Sequence, residues 1–150
     1  MATRGIHDTI RFSRVLQMQT ITSAALNTGD VDLKGYDSAM FAVDFGDIDE
    51  MGSSPVGGAQ IAVKVEHADD DGAGSAGSYA NVADTDLDGA TQTAGVIATL
   101  TTDVNELVFG YVGSRRFVKV TLTPTSLTNG GPVGVFMVNG HAHMTPVTQG

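Results

Sequence analysis

Between residues 38 and 45 the chain alternates with a period of two. Met40, Ala42 and Asp44 fall on one face of an extended segment, and Ala39, Phe41, Val43 and Phe45 on the other. The alternation returns over 60–67, where Ile61, Val63 and Val65 point one way and Gln60, Lys64 and Glu66 the other. That is the mark of a strand in a sheet with one wet face. It returns again over 133–143, with Val135, Met137 and Asn139 opposite Phe136 and Val138. Residues 106–124 read as two strands joined by a tight Gly113-Ser114 turn, a β-hairpin. After the turn Arg116, Val118, Val120 and Leu122 share one face, and Phe117, Lys119, Thr121 and Thr123 the other. Gly113 is expected to supply the positive φ of a two-residue turn. Pro124 has no N–H to give a ladder, so it ends the strand or sits at an edge.

Weaker signals fill the intervals. Extended segments are predicted at 9–13 and 19–23, with 14–18 continuing the path, and short strands at 31–33, 79–82 and 94–100. Turns fall at 27–30 and 129–132, and loops at 46–58, 68–78 and 84–93. The 68–78 loop, Ala-Asp-Asp-Asp-Gly-Ala-Gly-Ser-Ala-Gly-Ser, has no apolar anchor and is expected to be highly mobile. No segment sustains apolar residues at helical spacing between caps; one helical turn is allowed around 102–107. About eight or nine short strands with Gly-rich turns predict an all-β fold, a single-domain antiparallel β-sandwich of jelly-roll-like type. Residues 1–18 are read as an N-terminal extended arm or first strand, and 19–150 as the sandwich. Such an arm either lies along a neighbouring subunit or forms an edge strand of its own sheet.

Composition narrows the function classes. A chain of 150 residues buries enough surface for one core without staples, and it has no cysteine, so no disulfide or thiolate chemistry. No run of 18 apolar residues exists, and the first residues lack the apolar stretch of a secretory signal; no membrane association is expected. Trp is absent and aromatics are few, which counts against sugar platforms and single-strand stacking surfaces. The net charge of −9 is concentrated in residues 30–89, where fourteen acids face only Lys34 and Lys64. An acidic middle repels phosphate backbones, so nucleic acid is not an expected partner.

The candidate chemistry is thin. Asp84-Thr85-Asp86-Leu87-Asp88-Gly89 opens like a calcium loop, but the twelfth position is Gly95 in place of a bidentate Glu. His141 and His143 lie two apart on one strand face, while His7 and His67 are distant in sequence, so no metal set is complete. No nucleophile elbow, phosphate loop or zinc-protease motif occurs. Glu50 and Glu66 are the pair to consider for carboxylate chemistry, without the aromatic platforms most glycosidases use. No enzymatic activity and no cofactor are expected. Arg115 and Arg116, beside Tyr111 and Phe117, are either exposed turn residues stacked on an aromatic or a fork for a carboxylate of a partner subunit.

Three blocks, in order, carry a family likeness. They are Gly35-Tyr36-Asp37-Ser38-Ala39-Met40-Phe41-Ala42-Val43-Asp44-Phe45-Gly46, then Val63-Lys64-Val65-Glu66-His67-Ala68-Asp69-Asp70-Asp71-Gly72, and then Gly110-Tyr111-Val112-Gly113-Ser114-Arg115-Arg116-Phe117-Val118-Lys119-Val120. In these the chain resembles small tailed-bacteriophage virion proteins encoded among the head genes. It departs from them after the acidic loop, where the aromatic is delayed to Tyr79. The resemblance implies a capsid decoration (cement) protein, made in the host cytoplasm and carried on the capsid surface. Its partner would be the major capsid protein, and it would be a homo-oligomer with a trimer favoured. It carries over no catalytic residues. On this reading the N-terminal arm (Arg4, Ile6, Arg11, Phe12) and the Arg115–Arg116 tip contact the partner, and deleting residues 1–14 is expected to abolish particle binding while leaving the fold intact. The alternatives are a head–tail connector or tail component, separable by copy number, and a carbohydrate-binding jelly roll, which needs a concave aromatic face.

Overall fold

The computed structural model describes residues 10–52, 55–102 and 106–142. Eleven strands follow one another in them: β1 (Arg11–Ile21), β2 (Leu26–Asn27), β3 (Val31–Asp32), β4 (Tyr36–Phe45), β5 (Gln60–Ala68), β6 (Ala80–Asn81), β7 (Leu87–Asp88), β8 (Val96–Leu100), β9 (Glu106–Tyr111), β10 (Phe117–Thr125) and β11 (Gly131–Ala142). Two short 3-10 turns, Val56–Gly58 and Asp84–Asp86, interrupt them, and no α-helix occurs among the described residues. The helical turn allowed around 102–107 is not there: Glu106 and Leu107 open β9, and 103–105 lie outside the described residues.

Alternation decides which side chains are buried. In β4 the inward residues are Ala39, Phe41, Val43 and Phe45, and in β11 they are Val133, Val135, Met137 and Asn139. The two strands pair antiparallel, with Val135 opposite Val43 and Met137 opposite Phe41. Around them the first sheet runs β1-β11-β4-β9-β7. The second is built on β10 and β5, with Val120 opposite Val65 and Leu122 opposite Val63. β2 and β3 share the free edge of β10, while β6 and β8 share that of β5. Phe41 stacks on Phe109 at 5.4 Å, and these rings meet Ile61, Val63, Val118, Val120 and Leu122 in one continuous core.

The architecture is the expected all-β sandwich. With β2 and β3 taken as one broken strand and the two-residue β6 and β7 set aside, eight strands remain. Numbered in chain order, they run 1-8-3-6 in one sheet and 2-7-4-5 in the other. That order is the paired Greek key of a jelly roll.

Three local expectations meet the structure, and the first and third need correction. First, 106–124 is not a hairpin. β9 pairs with β4 in the first sheet and β10 with β5 in the second, so residues 112–116 cross between layers. The side chain of Tyr111 makes this corner. It is fully buried, and its hydroxyl accepts the Arg115 N–H at 3.2 Å. Gly113 is needed there for proximity, not for a positive φ: a Cβ would sit 2.6 Å from the Tyr111 hydroxyl. Two alternating runs around Gly-Ser look the same whether they pair or part, because register partners five strands away in sequence decide the matter.

Second, the continuation expected through 14–18 is there: a single strand, β1, covers Arg11–Ile21. From residue 11 the chain runs to Ile21 along β11, with irregularities between Arg14 and Leu16 and between Leu16 and Gln19. Such bulges let a long edge strand follow a twisted neighbour. Leu16 and Ile21 enter the core, so this stretch is the edge of the first sheet.

Third, the acidic loop after β5 is tied, not open. Asp70 Oδ1 accepts the N–H groups of Gly72 (2.8 Å) and Gly74 (3.0 Å), and Asp71 Oδ1 those of Ala73 (2.8 Å) and Ser75 (3.1 Å). Gly77 N–H closes on the Asp69 carbonyl at 2.8 Å. Acids spaced among Gly and Ser form nested Asx turns, which supply the anchors that apolar residues do not.

Candidate interaction face

The outward faces of the two sheets differ in kind. On the second sheet the outward residues of β5 and β10 include Lys64, Glu66, Lys119, Thr121 and Thr123. Lys64 Nζ bonds Glu66 Oε1 at 2.8 Å, and Lys119 Nζ lies 3.6 Å from the centre of the Tyr79 ring. The Tyr79 hydroxyl donates to Asp30 Oδ1 at 2.7 Å, and burial first, then this carboxylate, raises its pKa.

On the first sheet the outward positions are apolar across three neighbouring strands. One register row runs Phe12, Val138, Met40, Gly110, Asp88; the next runs Arg14, Phe136, Ala42, Val108. Phe12 is 55% exposed and stacks on Phe136 at 5.7 Å, and Met40, Val108 and Val112 are exposed as well. Scattered exposed apolar residues are ordinary, but a contiguous apolar sheet face marks a contact surface.

Within this face lies a cleft of about 670 Å³. Its lining includes Met40, which lies between Gly110 on β9 and Val138 on β11, together with Val108, Val112 and Gly140, the last opposite Ser38. Both glycines have close neighbours. A Cβ on Gly110 would lie 3.0 Å from Asp88 Cβ, and one on Gly140 3.2 Å from Ser38 Oγ. Asp37 and Asp88 are also among the lining residues.

The residues expected to contact a partner are dispersed. Arg4 and Ile6 lie outside the described residues. Phe12 is on the apolar face. Arg11 is one register position over, opposite Asn139, and its Nε is buried without a hydrogen-bond partner among the described residues. Since 11–14 pair with β11, deleting residues 1–14 removes part of the first sheet, so the deletion does not leave the fold intact as expected. Arg115 is half-buried, its Nε 3.7 Å from Asp69 Oδ2. Arg116 has its carboxylates within the chain: Nε and Nη2 bond Asp32 at 2.8 and 2.6 Å, and Nη1 bonds Asp70. Its guanidinium also lies 4.7 Å from the Phe117 ring centre. The Arg116 hydrogen bond chiefly holds the Asp32 carboxyl below the usual carboxylate range, and the Gly74 and Gly72 N–H groups do the same for Asp70.

The acids considered for chemistry are engaged separately. Glu50 accepts the N–H groups of Thr128, Asn129 and Gly130 between 2.6 and 2.9 Å, and these bonds, Asn129 first, lower its pKa. Glu66 is on the second sheet with Lys64. Asp84 Oδ1 accepts Gln92 N–H at 2.7 Å, Asp86 faces His67, and Asp88 lies over Gly110. Among the described residues no three His, Cys, Asp or Glu side chains are grouped to hold a metal. His143 and the side chain of His141 fall outside the description.

The apolar face was readable in part. Met40-Phe41-Ala42-Val43 is apolar on both parities, the pattern of a strand covered on both sides, yet nothing in the described chain covers Met40.

No family model matches the chain, and no curated protein matches it. Among solved structures, a chain from work described as "Bacillus endospore appendages form a novel family of disulfide-linked pili" aligns over 95% of this chain and 96% of its own. The two share 14% identity at a TM-score of 0.41.

Proposed function

We propose that this protein is a structural component of a tailed-bacteriophage virion, a capsid decoration protein that docks on the major capsid protein through the outer face of its first sheet. The observation that carries the reading is the apolar patch at the centre of the first sheet's outer face, where Phe12, Met40 and Val108 are exposed with Val112 just beyond β9, while the outward centre of the second sheet carries Lys64, Glu66 and Lys119. A rigid sandwich with one adhesive side suits a part that sits on a lattice. The resemblance of the three sequence blocks supplies the identity of that lattice and the expectation of a homotrimer. Jelly rolls serve in viral shells and in lectins alike, so the fold alone does not choose. The cleft presents no aromatic ring to solvent, since Phe109 beneath it is buried, and this weighs against the sugar-binding alternative.

Decoration relies on many weak contacts on one particle, which add through avidity. The test is the copy number of the chain in purified virions by quantitative mass spectrometry. Hundreds of copies support decoration. About a dozen would assign it to a connector or tail ring, and none would end the virion reading.

A further inference from the structure

We infer that the cleft over Met40 receives an apolar side chain from a partner segment that carries Lys or Arg beside that anchor. This deepens the proposed docking role and relies on it only for the choice of face. Gly110, opposite Met40, and Gly140, opposite Ser38, add no side chain to the recess, and Val108, Val112 and Val138 line it with branched side chains. An aliphatic or small aromatic group is what such a recess desolvates favourably. Charge selects the flank. Asp37 and Asp88 are among the lining residues, and among the described residues no Lys or Arg lines the cleft. Further along the same face Asp44 and Glu106 are direct cross-strand partners. Like charges placed opposite each other in a sheet repel, and an incoming cation relieves that repulsion.

The same charges argue against a second copy as the occupant. A two-fold contact through this face presses each patch against its own image. Here it would bring acidic linings together in a chain whose net charge is already −9.

The experiment uses the full chain, labelled with nitrogen-15, and three acetylated hexapeptides. The first has a central Leu flanked by Lys, the second the same Leu flanked by Glu, and the third Ala between Lys residues. The Lys-Leu peptide should shift amide signals of residues 37–40, 88–89, 108–112 and 138–140. The Glu-flanked and Ala-centred peptides should each bind roughly tenfold more weakly. Asp88→Asn should narrow the Lys-over-Glu preference without moving signals of the core. Equal binding of the Lys and Glu peptides, or shifts confined to other surfaces, overturns the inference. So does a concentration-dependent dimer in sedimentation that Met40→Asp abolishes, because the occupant is then a second copy. If Met40→Asp protein still fills phage heads, the docking reading fails instead, whatever the peptides do.

Discussion

His67 Nδ1 lies 3.1 Å from the Tyr111 hydroxyl, joining β5 in one sheet to β9 in the other inside the sandwich. The rings meet edge to face at 5.9 Å, and both are buried. Asp86, Asp69 and Arg115 surround the pair. Burial lowers the His67 pKa first, aided by Arg115 and opposed by Asp86 and Asp69. It also pushes Tyr111 up to about 12.

A pH dependence follows. Because the folded pKa of His67 lies below its unfolded value near 6.5, the unfolded chain binds the proton first as pH falls. This contribution is present in full above 6.5, is lost as pH drops from there toward the folded pKa, and then levels off. One proton sets a ceiling of about 1.4 kcal/mol per pH unit. Urea melts between pH 7.5 and 5 should show wild type losing stability more steeply than His67→Gln. Parallel curves would contradict the assignment. Losses from Asp32, Asp70 and Glu50, whose pKa values are lowered, set in as pH falls through the ordinary carboxylate range toward the lowered values, mostly below the window of these melts.

The corner gives a sharper test of packing. Tyr111→Phe strips a partner from both His67 and the Arg115 N–H and should cost about 1–3 kcal/mol. Gly113→Ala pushes a methyl group into the Tyr111 ring and should cost a similar amount by overpacking. Denaturant midpoints measure both. A hairpin at this place would tolerate Gly113→Ala far better than the observed corner does.

Arg116 links three separate segments through Asp32 and Asp70, and Asp70 in turn holds Gly72 and Gly74. Arg116→Lys keeps the charge but loses the planar fork. Hydrogen exchange at Gly72 and Gly74 should quicken in that variant while the amides of β10 and β5 stay protected. Unchanged exchange in the loop would show that the ion pairs do not brace it.

How much of this was legible in the sequence depends on the range of the forces concerned. The inward sets of β4, β5 and β11 followed from alternation alone, because burial acts on each strand separately. The separation of β9 from β10 did not. It depends on Tyr111 turning into the core and on pairings with β4 and β5, which a linear pattern does not encode. The acidic loop was misread because its order comes from Asx hydrogen bonds, not apolar contacts. Arg115 and Arg116 stood out as charges, but their partners Asp69, Asp32 and Asp70 are brought together only by the fold. The cleft depends on Gly110 and Val138 flanking Met40 on neighbouring strands, a relation visible only once register is known.

The central claim is that the outer face of the first sheet holds the protein to its particle. Met40 and Val108 are exposed, so Met40→Asp and Val108→Asp should change stability by less than about 1 kcal/mol. The direct measurement is add-back to heads stripped of the protein, with bound copies counted after sedimentation. Wild type should restore full occupancy, and either aspartate variant, folded and soluble, should bind at under about a tenth of it. Full occupancy by Met40→Asp would contradict the account.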